Sequence, residues 1–410
     1  MAERAIGGDS DAVYRVRVCR MTDGERLPLV IGRHGLPVSF ANQWALFIRR
    51  PRLQFNSLAE ELRTVAHVYE WAHRRRIDLE MRFKSGNGLQ PTEISALYQN
   101  LRYVRPFGRE SAARRLTDVR SAQAVNGKVH AVRVATAREF LLWALERTLY
   151  RLDVADTRVP AIRDRCEQLR RLAKEYLRGS SDAGPSRVGL TPEQRAHLLK
   201  VIDPSSNRNP FNRSVRFRNY VLILLMLTFG FRRGETLKLY VSDVNVKGRR
   251  PSLRIVRRPG DVNDPRAIEP AVKTLGREVP LSAEMAKLLD VYIQRHRPGF
   301  PGAGDSPFLF FSEDGKPLSL RMVNAVLEQI CRRFPEFDGA LSPHVLRHTY
   351  NDMLTESARE NGIEGEAFKR AQNYLNGWQL TSDQGVAYSR RAIEEQARNI
   401  SLAHQRSLFA

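Results

Sequence analysis

Residues 341–350 read "LSPHVLRHTY", with His344 and His348 four residues apart and Arg347 between them. On a helix, two histidines at that spacing share a face and can hold a metal ion. A zinc-protease helix needs a glutamate directly after the first histidine, and here that place is Val345. No Cys, Asp or Glu nearby offers an obvious third ligand. A guanidinium between two metal-bound histidines would also repel the ion. The competing reading is anionic: His344 and Arg347, three residues apart on one helical face, present two donors to a single anion. No metal is expected on this reading.

The rest of the chain favours an anion. It has 410 residues, 42% hydrophobic and 27% charged, enough for two or three domains with a real core. The net charge is +22, which implies a polyanionic partner, with nucleic acid the default. A membrane surface would ask for a basic amphipathic anchor or a lipidation motif, and neither is found. Of 67 basic residues only ten are lysine and 57 are arginine, so a lysine at a motif position stands out. Three scattered cysteines, Cys19, Cys166 and Cys331, argue for a reduced, cytosolic setting without a disulfide framework. The N-terminus lacks an apolar core of signal-peptide length, and the longest apolar run, "YVLILLMLTFGF" from Tyr220, is too short to span a bilayer. That run is expected to be a buried helix, and the protein to reside in the bacterial cytoplasm, associated with the nucleoid.

Residues 1–37 hold two alternating stretches, "VYRVRVCRM" and "RLPLVIGR", expected as strands of an N-terminal extension. They either bind accessory DNA sites or pack on the helical region after them. Residues 38–178 are expected to form a helical, basic, DNA-binding module. Within it Ser57 with Glu60 makes a capping box for a helix with apolar residues at Leu58, Leu62, Val65, Tyr69 and Ala72. That helix ends at Arg74, Arg75 and Arg76, which either suit the helix dipole or contact phosphate. "GSSDAGPSRVG", residues 179–189, is the best linker candidate. Thr191, Pro192 and Gln194 then start a new helix. Beyond the buried helix, "PSLRIVRR" and "GREVPLS" are expected strands, and helices resume at "SAEMAKLLDVYIQRH".

Upstream of the histidine pair stands "TFGFRRGETLKLYVSDV", with Arg232, Arg233, Glu235 and Asp243. An arginine held near an acid by rigid helices is preorganised for a phosphoryl group. "KTLGREVPL" places Lys273 at a turn between strands, and "NGWQLTSDQGVAYSRR" supplies Trp378 and Tyr388. This order of motifs, over roughly residues 188–410, resembles the tyrosine recombinases, also called the phage integrase family. The resemblance implies a mainly α fold with a small antiparallel sheet, in two domains: a helical core-binding domain and an α+β catalytic domain over 190–390. Residues 391–410 would form a C-terminal helix or tail for contact between protomers.

The resemblance also implies roles. Arg232 and Arg347 would grip the non-bridging oxygens of the scissile phosphate, and His344 would hydrogen-bond the same group and help manage the nucleophile's proton. Lys273 would protonate the leaving 5′-oxygen, Trp378 would donate to a phosphate oxygen, and Tyr388 would be the nucleophile, forming a 3′-phosphotyrosyl intermediate. Glu235 and Asp243 would be structural acids fixing the first arginine and its neighbours, and His348 a supporting residue. Arg233 is a rival for Arg232, and Tyr350 and Tyr374 are rivals for Tyr388. The stretches from Arg347 to Trp378 and from Trp378 to Tyr388 are longer than is usual in the family. The chemistry needs no cofactor, because the phosphotyrosine ester keeps the free energy of the bond it replaces.

The expected function is site-specific recombination or integration on double-stranded DNA. The protein would be a tetramer on paired sites, and a monomer or weak oligomer without DNA. A type IB topoisomerase-like enzyme and a non-catalytic DNA-binding regulator are the alternatives. DNA binding is expected to fall steeply with salt, because many arginines displace counterions.

Overall fold

Alternation of apolar and polar residues near the N-terminus produces a hairpin. β1 (Arg15–Arg20) pairs antiparallel with β2 (Arg26–Ile31), setting Val16 opposite Val30 with both buried. The structure is a computed structural model and describes residues 13–104, 124–177, 188–337, 339 and 341–385. It divides into two units, Met1–Gly184 and Pro185–Ala410. Of the expected linker only Val188 and Gly189 are described, and the expected C-terminal tail, 391–410, lies outside the described residues.

In the first unit the hairpin packs on α2 (Phe55–Arg74). α1 (Ser39–Gln43) is stitched to the hairpin by Asn42, whose side-chain oxygen accepts the Val30 N–H at 2.8 Å. Its amide donates to the Val30 carbonyl at 2.8 Å, so one side chain satisfies both polar groups of a strand residue. The described part of the N-terminal stretch is therefore packed into the core. The helices α3 (Leu79–Ser85), α4 (Pro91–Asn100), α5 (Gly127–Leu149) and α6 (Arg158–Leu177) complete the unit. Phe140 on α5 holds the centre, with ring centroids 5.6 Å from Trp44, 5.9 Å from Tyr69 and 5.8 Å from Phe83.

One expected cap is absent. The last extended residue before α2 is Gln54, so Ser57 already lies inside the helix, and Glu60 pairs with Arg63 instead. An N-cap needs extended backbone, which Ser57 does not have.

In the second unit α7 (Pro192–Ile202) begins with the expected reciprocal cap. The Gln194 N–H donates to Thr191 Oγ1 at 3.2 Å, and the Thr191 N–H to Gln194 Oε1 at 3.0 Å. α8 (Arg213–Phe229) carries the apolar run and buries Val221, Leu222, Ile223, Leu225, Met226 and Leu227, residues on every side of it. A helix apolar all round belongs inside a domain. Among the described residues no helix is long and apolar enough to cross a membrane. α9 (Arg233–Leu237) follows, then a three-stranded antiparallel sheet of β3 (Val244–Asn245), β4 (Ser252–Ile255) and β5 (Arg277–Pro280), with β4 central. α10 (Ala283–Val291), α11 (Leu320–Arg333), α12 (Pro343–Glu360) and α13 (Gly365–Asn376) surround α8 and the sheet. The described fold is thus mainly helical with small antiparallel sheets.

Removing the Phe140 ring should open a cavity where several rings meet. Phe140→Ala is expected to destabilise the first unit by about 3–5 kcal/mol in denaturant titration. A loss below about 1 kcal/mol would mean that the ring is not central to that core.

Candidate active site

α8 stops at Gly230, whose φ of +61° is left-handed. A Cβ there would lie 2.2 Å from the Tyr350 ring, so glycine is required both for the conformation and for the packing. Two residues later Arg232 has extended backbone and opens α9. Its N–H donates to Glu235 Oε2 at 2.9 Å.

Glu235 collects the surrounding elements. It is 1% exposed, and its carboxylate accepts hydrogen bonds from Thr274 Oγ1 and from both terminal nitrogens of Arg277, at 3.4 and 3.3 Å. Arg277 Nε donates to the Leu375 carbonyl at 2.7 Å, and the Leu275 N–H to the Gly377 carbonyl at 2.9 Å. One buried acid thus fixes the Arg232 turn and the loop carrying Lys273, and through Arg277 it also reaches the end of α13. Burial raises the Glu235 pKa, but the guanidinium groups of Arg277 and Arg347 outweigh it and hold the carboxyl below its usual value.

Arg232 is three-quarters buried, and its Nη1 lies 3.7 Å from Glu235 Oε1, beyond hydrogen-bond reach. This buried Nη1 has no hydrogen-bond partner among the described residues. Leaving a buried donor unsatisfied costs about 1–3 kcal/mol, so the site is primed for an acceptor. Arg233, the sequence rival, instead donates to Asn324 at 3.0 Å.

Arg347 lies on α12 and is 1% exposed. Its Nη1 donates to the Gly230 carbonyl, and its Nη2 to the Asn376 carbonyl at 3.2 Å. Its guanidinium carbon sits 5.1 Å from the Trp378 ring centroid, and Trp378 is buried directly after α13. Asn351, one turn further along α12, donates to the Arg347 carbonyl and accepts from Asn376 at 2.8 Å, which locks α12 to α13. His344 is exposed in the first turn of α12, His348 is half-buried, and Lys273 is exposed between β4 and β5.

The structure therefore brings Arg232, Glu235, Arg347 and Trp378 into one cluster, with the Lys273 loop docked on it. Asp243 stands apart. It binds Arg258 through both oxygens, at 2.9 and 2.6 Å, so the arginine it fixes is not Arg232. Tyr388 lies outside the described residues. Of its rivals, Tyr350 is buried, and desolvation pushes its hydroxyl up to about 12 despite Arg277 and Arg347 nearby. Tyr374 donates its hydroxyl to the Glu278 carbonyl at 3.2 Å. Sequence reasoning gave Arg277 and Thr274 no role, although both stand inside the "KTLGREVPL" motif that carries Lys273.

In the first unit Arg74, Arg75 and Arg76 are all exposed at the end of α2. Arg74 bonds Glu70 at 3.1 Å, Arg75 lies over the Trp71 ring, and Arg76 has a φ of +58°.

Residues 189–360 match the family model described as the phage integrase family. The matched stretch lies wholly within the second unit. Solved structures of tyrosine recombinases are also similar to the chain. The Tn1549 transposon integrase in complex with transposon right end DNA matches with a TM-score of 0.49 and 16% identity, over 88% of this chain and 99% of that one. The same integrase in complex with circular intermediate DNA matches with a TM-score of 0.49 and 18% identity, over 88% and 100%. The XerH site-specific recombinase bound to palindromic difH substrate gives 0.44 and 15%, over 89% and 94%. No curated protein matches the sequence.

The depressed pKa of Glu235 has a consequence for stability. The unfolded chain binds this proton more tightly than the folded one, so its stabilising contribution is present above about pH 4.5 and is lost as pH falls through the lower, folded value. Glu235→Gln should lower the melting temperature at neutral pH and flatten part of the acid decline below about pH 4.5. Parallel acid limbs for the two proteins would contradict this ionic arrangement.

Proposed function

We propose that the protein is a site-specific DNA recombinase that cleaves and rejoins strands through a 3′-phosphotyrosyl intermediate. The observation that carries the reading is the buried Arg232 donor, held beside Glu235 and lacking an acceptor, in one cluster with Arg347 and Trp378.

Attack on a phosphodiester concentrates negative charge on the phosphoryl oxygens. Arg232 and Arg347 stabilise that charge in place of a metal ion, and both are fixed before substrate arrives, so little reorganisation is needed. His344, exposed three residues before Arg347, reaches the same phosphate, and the Trp378 indole N–H donates to it. Tyr388 supplies the phenol oxygen and passes its proton to His344; a phenol near pKa 10 needs such a base and neighbouring cations to act as a nucleophile. Lys273 gives a proton to the departing 5′-oxygen. Rejoining reverses these steps with the free energy stored in the ester, so no ATP, metal or other cofactor enters. The strongly basic composition suits double-stranded DNA, with Arg74, Arg75 and Arg76 contacting phosphates away from the scissile bond. Paired sites call for a homotetramer, and the setting is the cytoplasm.

Trapping on a nicked duplex that carries the target site tests the reading. Wild-type protein should accumulate a covalent protein–DNA adduct, Tyr388→Phe should form none, and Arg232→Ala should slow formation by about 10²–10³-fold. An adduct formed by Tyr388→Phe would remove Tyr388 from its role.

A further inference from the structure

The connection between β4 and β5, residues 256–276, contains a buried ionic cluster that the reaction does not use directly. Lys238, just after α9, has a side chain 2% exposed. Its ammonium donates to Asp261 at 2.9 Å, Asp264 at 3.3 Å and Glu269 at 2.6 Å. These three carboxylates converge closely enough to hold a cation, and the cation among them is the protein's own lysine. Arg266 pairs with Asp264 through Nε and Nη2, both at 2.8 Å, and ties the connection to the Leu237 and Leu318 carbonyls at 3.2 and 2.7 Å. Glu269 accepts the Gly260 and Asp261 N–H groups, and the Tyr240 hydroxyl donates to Asp261 at 2.6 Å.

The cluster lies next to Lys273 along the chain. Glu269 is four residues before it. Ala271, two before it, rests so close on α9 that a Cβ on Gly234 would lie 2.1 Å from the Ala271 oxygen. Thr274, directly after it, bonds Glu235. The backbone on both sides of Lys273 is therefore docked onto the Arg232–Lys238 segment, while Lys273 itself is exposed.

We propose that Lys238, with Asp261, Asp264, Arg266 and Glu269, is a positioning device that fixes the connection and sets the Lys273 ammonium against the leaving 5′-oxygen. The inference rests on the reading of Lys273 as the proton donor. In that step the Tyr388 phenol passes its proton to His344 as its oxygen bonds to phosphorus, the phosphorus–O5′ bond breaks, and the Lys273 proton passes to O5′ to give a 5′-hydroxyl. A lysine on a loop without anchors would spend most of its time away from O5′, and misplacement by about an ångström is enough to cost 10²-fold in rate. Replacing Lys238 by an apolar residue leaves three carboxylates facing one another, which drives the connection away from α9.

A 5′-bridging phosphorothiolate duplex separates positioning from folding. Its sulfur leaves as a thiolate and needs no proton, so a defect in proton donation disappears on it, whereas general damage to the site remains. Single-turnover cleavage by the full chain is measured on the phosphodiester and on the phosphorothiolate. Lys273→Ala should lose about 10²–10⁴-fold on the first and recover on the second. Lys238→Met should lose at least about tenfold on the phosphodiester and recover on the phosphorothiolate, in the pattern of misplaced proton donation. Glu269→Gln, which keeps the shape and most hydrogen bonds, should show the same selectivity more weakly and remains informative should Lys238→Met not fold. If Lys273→Ala is rescued by sulfur while the folded cluster variants slow both substrates equally, the positioning role is overturned and the recombinase reading stands. If Lys273→Ala itself is slowed equally on both, Lys273 is not the proton donor and the inference falls with it.

Discussion

The carboxylate of Glu235 is a buried charge that the second unit cannot leave unsatisfied. Its four hydrogen bonds come from the Arg232 backbone, Thr274 and the two ends of the Arg277 fork. Each donor comes from a segment that contributes to the site, so satisfying one acid draws those segments together. Burying an unpaired carboxylate would cost several kcal/mol, which makes the arrangement close to all-or-none. The Arg232 side chain benefits in a different way: it is attracted by the same carboxylate at 3.7 Å without being consumed by a hydrogen bond to it. An arginine held close but left with an unfilled donor is what a phosphate site requires before the phosphate arrives.

Arg347 reaches the cluster from α12. Its fork is fixed by two main-chain carbonyls, Gly230 at the end of α8 and Asn376 at the end of α13, and its flat face lies over Trp378. Helix C-termini carry unsatisfied carbonyls and partial negative charge, so a guanidinium there is favourable for reasons separate from catalysis. The electrostatics of Glu235 and Arg347 are also coupled, because Arg347 helps to hold the Glu235 carboxyl ionised. In the proposed mechanism the guanidinium groups of Arg232, Arg277 and Arg347 around one buried carboxylate would supply the field that other phosphoryl-transfer sites obtain from a metal ion.

Much of the second unit was legible in the sequence. The apolar run from Tyr220 could only be an interior helix, the Thr191–Gln194 cap names its own helix start, and Arg232 and Arg347, singled out from separate motifs, both meet the Glu235 carboxylate's field. What escaped is instructive. Ser57 and Glu60 have the right spacing for a cap, but spacing does not report where the backbone is extended. Asp243 stands eight residues after Glu235 in one motif, yet it serves Arg258, because the chain turns into the sheet between them. The Lys238 cluster joins residues 238 to 269 by contacts that no periodicity encodes. The one available hint was chemical: lysine is rare in this arginine-rich chain, and Lys238 interrupts an otherwise apolar "TLKLY". Arg277 was visible inside its motif, but its role depends on Glu235 being buried, which only the folded chain reveals.

The proposed chemistry stands most directly on the identity of the atom joined to DNA. The trapped adduct can be formed in the presence of a chelator, digested with protease and nuclease, and the nucleotide-bearing peptide sequenced by mass spectrometry. A single peptide containing Tyr388 modified on its phenol oxygen is expected, in the same yield with and without the chelator. A modification on Tyr374, Tyr350 or a serine, or an adduct that forms only when a divalent metal is supplied, would contradict the metal-free phosphotyrosine mechanism.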